Sequence, residues 1–248
     1  MVRIEILDVP VDIVSIQEAQ DTCRHFLRDG NQHFIITPNP EFVVAAQRDA
    51  RYKKILQHAD LALADGVGMT WAARRQKHRL WRIPGVDFIP YLCTVATEET
   101  QSIFLLGGQE GVAAKAADAL RKTCPGVQVV GAISGGVITP NPSVENTNLI
   151  EKINHTKPDI ILVALGHPKQ EQWIFKFLDL LPTVKIAIGV GGSFDYLSGT
   201  VARAPYWMRT HGLEWLHRLI FQPYRWRRIV DAVIVFPWLI ITRTGRKS

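Results

Sequence analysis

Short apolar runs rich in β-branched residues recur along the chain, separated by longer stretches in which apolar positions return every three or four residues. The runs at residues 2–7, 33–37, 61–64, 102–106, 127–133, 159–165 and 184–190 have the length and composition of buried strands. The stretches between them carry helical spacing. The first opens with Ser15 followed by Glu18, the pair that forms a capping box. This alternation predicts an α/β fold: a mainly parallel, Rossmann-like sheet with helices on both faces.

Several of these strands run straight into loops rich in Gly, Pro, Asn or Asp. In an open parallel sheet, ligands sit beyond the carboxyl ends of the strands, so chemistry is expected in these loops. No internal repeat and no low-complexity linker interrupts the pattern.

Composition alters this picture at one end only. The chain has 248 residues, 47% hydrophobic, enough for one substantial core with or without a small appendage. Its formal net charge of +6 points to an anionic partner. From Arg203 onward nine Lys/Arg face two acids, and four of the seven Trp fall in the same stretch. Residues 1–202 are therefore expected to form an α/β core, and residues 203–248 a helical, basic, Trp-rich appendage. Such a mixture suits an anionic membrane surface, single-stranded nucleic acid, or simply a packed terminal helix; the membrane is favoured.

The longest apolar stretch, residues 229–241, contains Asp231 and Pro237 and falls short of the ~20 residues a membrane span requires. No basic leader followed by an apolar run opens the chain, so no secretory signal is expected. Cys23, Cys93 and Cys124 are odd in number and unpaired in spacing, as expected of thiols in a reducing compartment.

Six loops are candidates for chemistry. Thr37-Pro38-Asn39-Pro40-Glu41-Phe42 sets a hydroxyl and an amide before a helix N-terminus able to attract an anion; Asn39 equally suits a plain helix cap. Asp65 enters the turn Gly66-Val67-Gly68 from an apolar strand, placed either as a general base or as a cap. Arg82 precedes Pro84-Gly85 and offers a planar fork for a diphosphate, although a surface Arg beside a helix-capping Asp87 explains the residues too. Gly107-Gly108 resembles a phosphate-cradling turn without the GxGxxG or P-loop spacing, and close packing accounts for it as well.

The fifth loop, Gly166-His167-Pro168-Lys169-Gln170-Glu171, puts polar residues directly after a buried strand, a costly arrangement unless something binds there. The sixth, residues 189–205, is long and Gly-rich, with Gly191, Gly192, Asp195 and Arg203 suited to a phosphate or a ribose. No Asp-x-Asp motif, no His/Cys cluster of zinc spacing and no Gly-x-Ser-x-Gly elbow is present. Hence neither a metal nor a cofactor is expected. A departing diphosphate would be neutralised by Arg, Lys and helix N-termini.

Taken in order, T-P-N-P-E-F, A-D-G-V-G, R-I-P-G-V-D, L-L-G-G, G-H-P-K-Q-E and G-V-G-G-S-F-D-Y-L-S-G resemble the WecG/TagA/CpsF family of bacterial glycosyltransferases. The pattern continues through A-P-Y-W-M-R, G-L-E-W-L-H-R-L and P-Y-R-W-R-R. The resemblance implies inverting, metal-independent transfer of a sugar, often N-acetylmannosamine from its UDP derivative. The implied acceptor is a polyprenyl-diphosphate-linked N-acetylglucosamine in teichoic acid or other surface-polysaccharide synthesis.

By position the resemblance implies Asp65 as general base, with Thr37, Asn39, Arg82 and Gln170 positioning the substrates. It places Asp195 and its glycines in the nucleotide pocket and has the appendage deliver Arg218, Arg225 and Arg228, with Pro223 expected to interrupt the tail helix. Gly66, Gly107, Gly108, Gly166, Lys169, Gly191, Gly192 and Arg203 complete the expected binding set. The implied partners are a UDP-sugar donor, a lipid-linked diphosphate sugar acceptor and an anionic membrane on its cytoplasmic face. No nucleic acid is expected, and homo-oligomerisation is left open. The rivals are a nucleotide-dependent oxidoreductase, which lacks its GxGxxG, and a nucleic-acid-binding module, which leaves the polar loops unexplained.

Overall fold

The computed structural model describes residues 1–134 and 138–244; residues 245–248 of the expected appendage lie outside the described residues. Two strands, β1 (Val2–Ile6) and β2 (Val9–Ile13), form an antiparallel hairpin of their own. The other six are β3 (His33–Ile36), β4 (Leu61–Ala62), β5 (Ser102–Gly107), β6 (Gln128–Ile133), β7 (Ile160–Ala164) and β8 (Ile186–Gly189). They form one sheet in the order β4-β3-β8-β7-β5-β6, every neighbour parallel.

The strands alternate their side chains between two cores. Phe34, Ile36, Phe104, Leu106, Ile161 and Val163 face one cluster, with the helices Pro40–Arg48, Ala50–Gln57 and Lys169–Phe177. Ile35, Ile103, Leu105, Ile160, Leu162 and Ile188 face the other, with the helices Ile16–Arg28, Gly85–Glu98 and Val112–Thr123. Both faces are thus covered, which is why these strands read as continuous apolar runs. The capping box at Ser15 and Glu18 is formed, and all three cysteines are buried and free.

One expectation needs correction. The run at residues 2–7 is a strand, but it stands outside the parallel sheet, paired with a strand the sequence did not suggest. The turn between them is Leu7-Asp8, both at positive φ (51° and 65°), joining Ile6 to its partner Val9. Two-residue turns of this geometry usually announce themselves with Asn-Gly or Asp-Gly, and Pro10 argues against a strand. The hairpin is fastened to the edge of the sheet by Asp12. Its carboxylate takes two 2.8 Å bonds from Arg3 and one from the Ala62 amide.

Chain order shapes the ligand-binding edge. The chain passes outward from β3 to β4 on one side and from β5 to β6 on the other, then returns to lay β7 and β8 between them. Loops leaving the central strands therefore diverge and open a crevice at their carboxyl ends. The C-terminal segment closes over it as the helices Tyr206–Thr210, Glu214–Phe221 and Trp226–Val230, with a short turn at Pro223–Arg225 breaking the last two apart. A π-helical turn, Asp231–Val235, leads into the helix Phe236–Thr244. Phe236 is fully buried there and belongs to the first core cluster. No helix among the described residues is long and apolar enough to cross a membrane.

Candidate active site

A cleft of about 510 Å3 lies over the carboxyl ends of the central strands. Of the residues expected at the site, Thr37, Asn39, Asp65, Gly108, Gly166, Lys169, Gln170, Gly191, Gly192, Asp195, Arg203, Arg218, Arg225 and Arg228 line it. Gly66, Gly107 and Arg82 stand back from it. Gly66 begins the helix Val67–Arg75 with φ 88°. Gly107 (φ 125°) lies so close to Ala164 on the neighbouring strand that a side chain would strike its carbonyl. There the packing explanation suffices. Arg82 is turned to Glu214 at 3.3 Å, and Glu214, which the sequence did not mark as a site residue, is the one that reaches the cleft.

Asp65 is not a helix cap: that place belongs to Gly66, with no side-chain bond. Its amide is tied to the Pro38 carbonyl at 2.9 Å, which fixes the loop and leaves the carboxylate facing the cleft. Enclosure by protein pushes this carboxyl up to about 6, against the pull of the Arg218 charge. At neutral pH it is ionised yet basic enough to take a proton, the condition a general base requires.

Asn39 does cap its helix, accepting from the Phe42 amide at 3.1 Å, and lines the cleft as well. Two residues on, Glu41 accepts from the Arg228 Nε at 2.7 Å, and His167 Nε2 lies 2.9 Å from the same oxygen. Burial alone would raise the Glu41 carboxyl. His167 and Arg228 outweigh that and hold it at about 2. Burial, seconded by the Arg228 charge, lowers His167 despite its bond to Glu41.

Gln170 spends its amide on the protein. Its oxygen accepts from the Gly191 amide at 2.9 Å and its nitrogen donates to Glu171 at 2.6 Å. The fully buried Glu171 also accepts from the Tyr52 hydroxyl at 3.1 Å, and burial pushes it up to about 7. Gln170 thus ties the loop after β8 to the helix after β7 and keeps one amide hydrogen for a ligand. Thr37 donates to the Gly189 carbonyl at 3.1 Å across the same strands.

The four arginines of the cleft divide into two groups. Arg203 is locked to Asp87 by bonds of 2.5 and 2.7 Å, and Arg228 is held by Glu41. Arg218 and Arg225 donate to no acceptor among the described residues. Arg218 lies over the Tyr196 ring at 5.6 Å, and the Arg225 Nε is buried without a partner. Half-buried guanidinium groups left without a carboxylate in a cleft call for an anion. Among the described residues no group of three His, Cys, Asp or Glu is placed to hold a metal ion.

Glu41 and His167 were inside the sequence motifs but not expected at the site. Glu41 looks like an ordinary acid in a first helical turn, and only the tertiary fold brings Arg228 and His167 to it. Tyr196, Glu214 and Tyr224 likewise lie inside the quoted motifs and line the cleft, whereas Gln222 lines it with no sequence signal that would have picked it out.

Known proteins similar in sequence cover most of this chain. The N-acetylglucosaminyldiphosphoundecaprenol N-acetyl-beta-D-mannosaminyltransferase of Bacillus subtilis (strain 168) is 35% identical over 209 residues, 84% of this chain and 79% of that protein. Its counterpart in Bacillus spizizenii is 35% identical over 208 residues, 83% and 78% of the two chains. That of Staphylococcus aureus (strain MRSA252) is 32% identical over 243 residues, 96% and 92%. The family profile matches residues 4–248, nearly the whole length, and the chain belongs to the glycosyl transferase WecG/TagA/CpsF family.

Proposed function

We propose that this glycosyltransferase moves N-acetylmannosamine from UDP-N-acetylmannosamine to a polyprenyl-diphosphate-linked N-acetylglucosamine, with inversion and without a catalytic metal. The observation that carries the reading is one cleft holding an enclosed, raised Asp65 carboxylate beside the unpaired guanidinium groups of Arg218 and Arg225. The names of the three relatives supply the sugar and the acceptor class.

In this reading the acceptor hydroxyl oxygen attacks the anomeric carbon from the face opposite UDP. The new C–O bond forms as the bond from that carbon to the diphosphate oxygen breaks, and the hydroxyl proton passes to Asp65. Arg218, Arg225 and Arg228 neutralise the charge that gathers on the departing UDP. Gln170 and Thr37 hold the loops that shape the donor pocket, and the Gly191–Gly192 backbone with Asp195 receives the nucleotide. Residues 1–202 act as the core and the C-terminal segment as the part that meets the cytoplasmic face of the membrane. Exposed Trp207, Phe221, Trp226 and Trp238 support that placement.

The test is UDP release from UDP-N-acetylmannosamine in EDTA, with a short-chain lipid-diphosphate N-acetylglucosamine, and NMR of the product's anomeric centre. Acceptor-dependent release giving the β-linked sugar is expected. Release that ignores the acceptor, or that appears only when Mg2+ or Mn2+ is restored, would overturn the proposal.

A further inference from the structure

Between Asp65 and Asp87 the chain contains no acidic residue, yet it carries Arg74, Arg75, Lys77, His78, Arg79 and Arg82. All of these but Arg82 are exposed. Arg74 and Arg75 end the helix Val67–Arg75, where cations suit the carbonyl end. That explanation stops there, because Lys77 and Arg79 lie past the helix, beyond a turn in which Lys77 takes φ 63°. Of the segment's arginines and lysines, only Arg82 meets a carboxylate among the described residues.

Two tryptophans frame the group. The Arg75 guanidinium sits 5.6 Å from the Trp71 ring and that of Arg79 5.3 Å from Trp81, whose ring is 51% exposed. Buried Leu80 anchors the segment from beneath. The group is continuous with the C-terminal segment: Arg82 bonds Glu214, and the helix Val67–Arg75 packs on the helix Phe236–Thr244, which shows Trp238 and Ile241 to solvent. A few residues further on, Pro84, Gly85 and Val86 line the cleft.

We propose that Arg74, Arg75, Lys77, Arg79 and Trp81 form a docking surface on the core for an anionic phospholipid leaflet. Four unpaired cations supply the charge complement, and Trp81 is the ring that settles among the headgroups. The surface sets the cleft mouth against the leaflet, where a lipid-linked acceptor presents its diphosphate. In that respect it rests on the acceptor assigned above. Membrane docking is then shared between the core and the C-terminal segment.

The test uses the full chain with vesicles of phosphatidylglycerol and phosphatidylcholine, and with vesicles of phosphatidylcholine alone. Wild type is compared with a variant carrying Arg74→Gln, Arg75→Gln, Lys77→Gln and Arg79→Gln, and with Trp81→Ala. Each basic residue near an anionic leaflet strengthens binding about fivefold, so the fourfold variant should bind anionic vesicles at least about tenfold more weakly. Its turnover with a short-chain soluble acceptor should stay within about twofold of wild type, since none of these side chains reaches the cleft. Vesicle binding equal to wild type would overturn the surface. So would a loss of soluble-acceptor turnover with vesicle binding intact, or equal binding to a single-stranded oligonucleotide. Charge-dependent vesicle binding by a wild type that fails to turn over would sustain the surface and sink the assigned reaction alone.

Discussion

Glu41 and Arg228 lie 187 residues apart in the chain and meet through one 2.7 Å bond at the arginine's Nε. End-on attachment at Nε aims the guanidinium and leaves its two terminal nitrogens for a ligand. A carboxylate in a cleft built for an anion is thereby turned to use. Its own charge is cancelled by Arg228, while His167 fixes it from the other side.

Glu41→Gln should therefore loosen Arg228 without emptying the cleft. Replacing a charge-assisted bond with a neutral one costs about 1–1.5 kcal/mol, or roughly a tenfold fall in kcat/KM. The loss should appear mainly as a higher KM for the UDP-sugar, read from initial rates of UDP release. Because the Glu41 carboxyl is held at about 2, its contribution to stability is complete above the ordinary glutamate value. It fades progressively as pH falls from that value through 2. A wild-type KM would show that Arg228 keeps its place unaided.

Asp65 trades stability for reactivity. Its folded-state value of about 6 lies above the ordinary 3.8, so the native state holds the proton more tightly than the unfolded chain. Stability from this group is full below 3.8 and lost as pH rises through 6, while basicity is gained over the same interval. Asp65→Asn should cut turnover on the order of 10²- to 10⁴-fold. It should also raise the stability at pH 7.5 by about 1–2 kcal/mol, a shift visible in the thermal midpoint. In wild type, kcat/KM should climb with pH up to about 6 and then level off. An Asn variant that turns over normally would remove Asp65 from the chemistry.

Glu171 never touches the cleft, but it orients the amide of Gln170 that clamps Gly191. Burial raises it to about 7, so its stabilising effect too is greatest at low pH and declines as pH rises through 7. Glu171→Gln keeps the shape and removes the charge. The thermal midpoint should then fall less between pH 5 and 8 than in wild type. Turnover should drop on the order of tenfold as the Gly191 loop loosens. A variant as pH-sensitive in its melting as wild type would place the titration elsewhere.

Much of this was legible from the residues. The parallel strands are buried on both faces and so announce themselves as apolar runs. The loops that follow them carry Asp65, Gln170 and Asp195 in an order specific enough to reveal the family. The hairpin was hidden because Leu7-Asp8 makes a tight turn without the residues that usually signal one, and because β2 begins with Val-Pro. Arg82 and Gly107 stand back from the cleft, and for a related reason the sequence did not show it. A guanidinium or a glycine at a strand end looks the same whether it faces a ligand or packs on Glu214 and Ala164. The roles of Glu41 and Glu171 depend on partners far away in the chain, which no local pattern encodes.

The closing of the C-terminal segment over the cleft depends on apolar packing more than on its ion pairs. Asp231 takes two 2.6 Å bonds from Arg48, but the Arg48 side chain is 59% exposed, and such a surface pair is worth at most about 1 kcal/mol. Phe236 is fully buried, next to Gly68 and in the core cluster with Phe42 and Val43. Truncating a buried Phe costs about 3–5 kcal/mol. Phe236→Ala should therefore free the segment that carries Arg218, Arg225 and Arg228. Trypsin should cut at these arginines faster than in wild type, and kcat/KM should fall more than about 10²-fold as three cations lose their positions. The rest of the chain should still melt cooperatively. Arg48→Ala, in contrast, should leave both the trypsin pattern and the activity close to wild type. If the two variants behaved in the opposite order, the ionic contacts and not Phe236 would be what holds the arginines over the cleft.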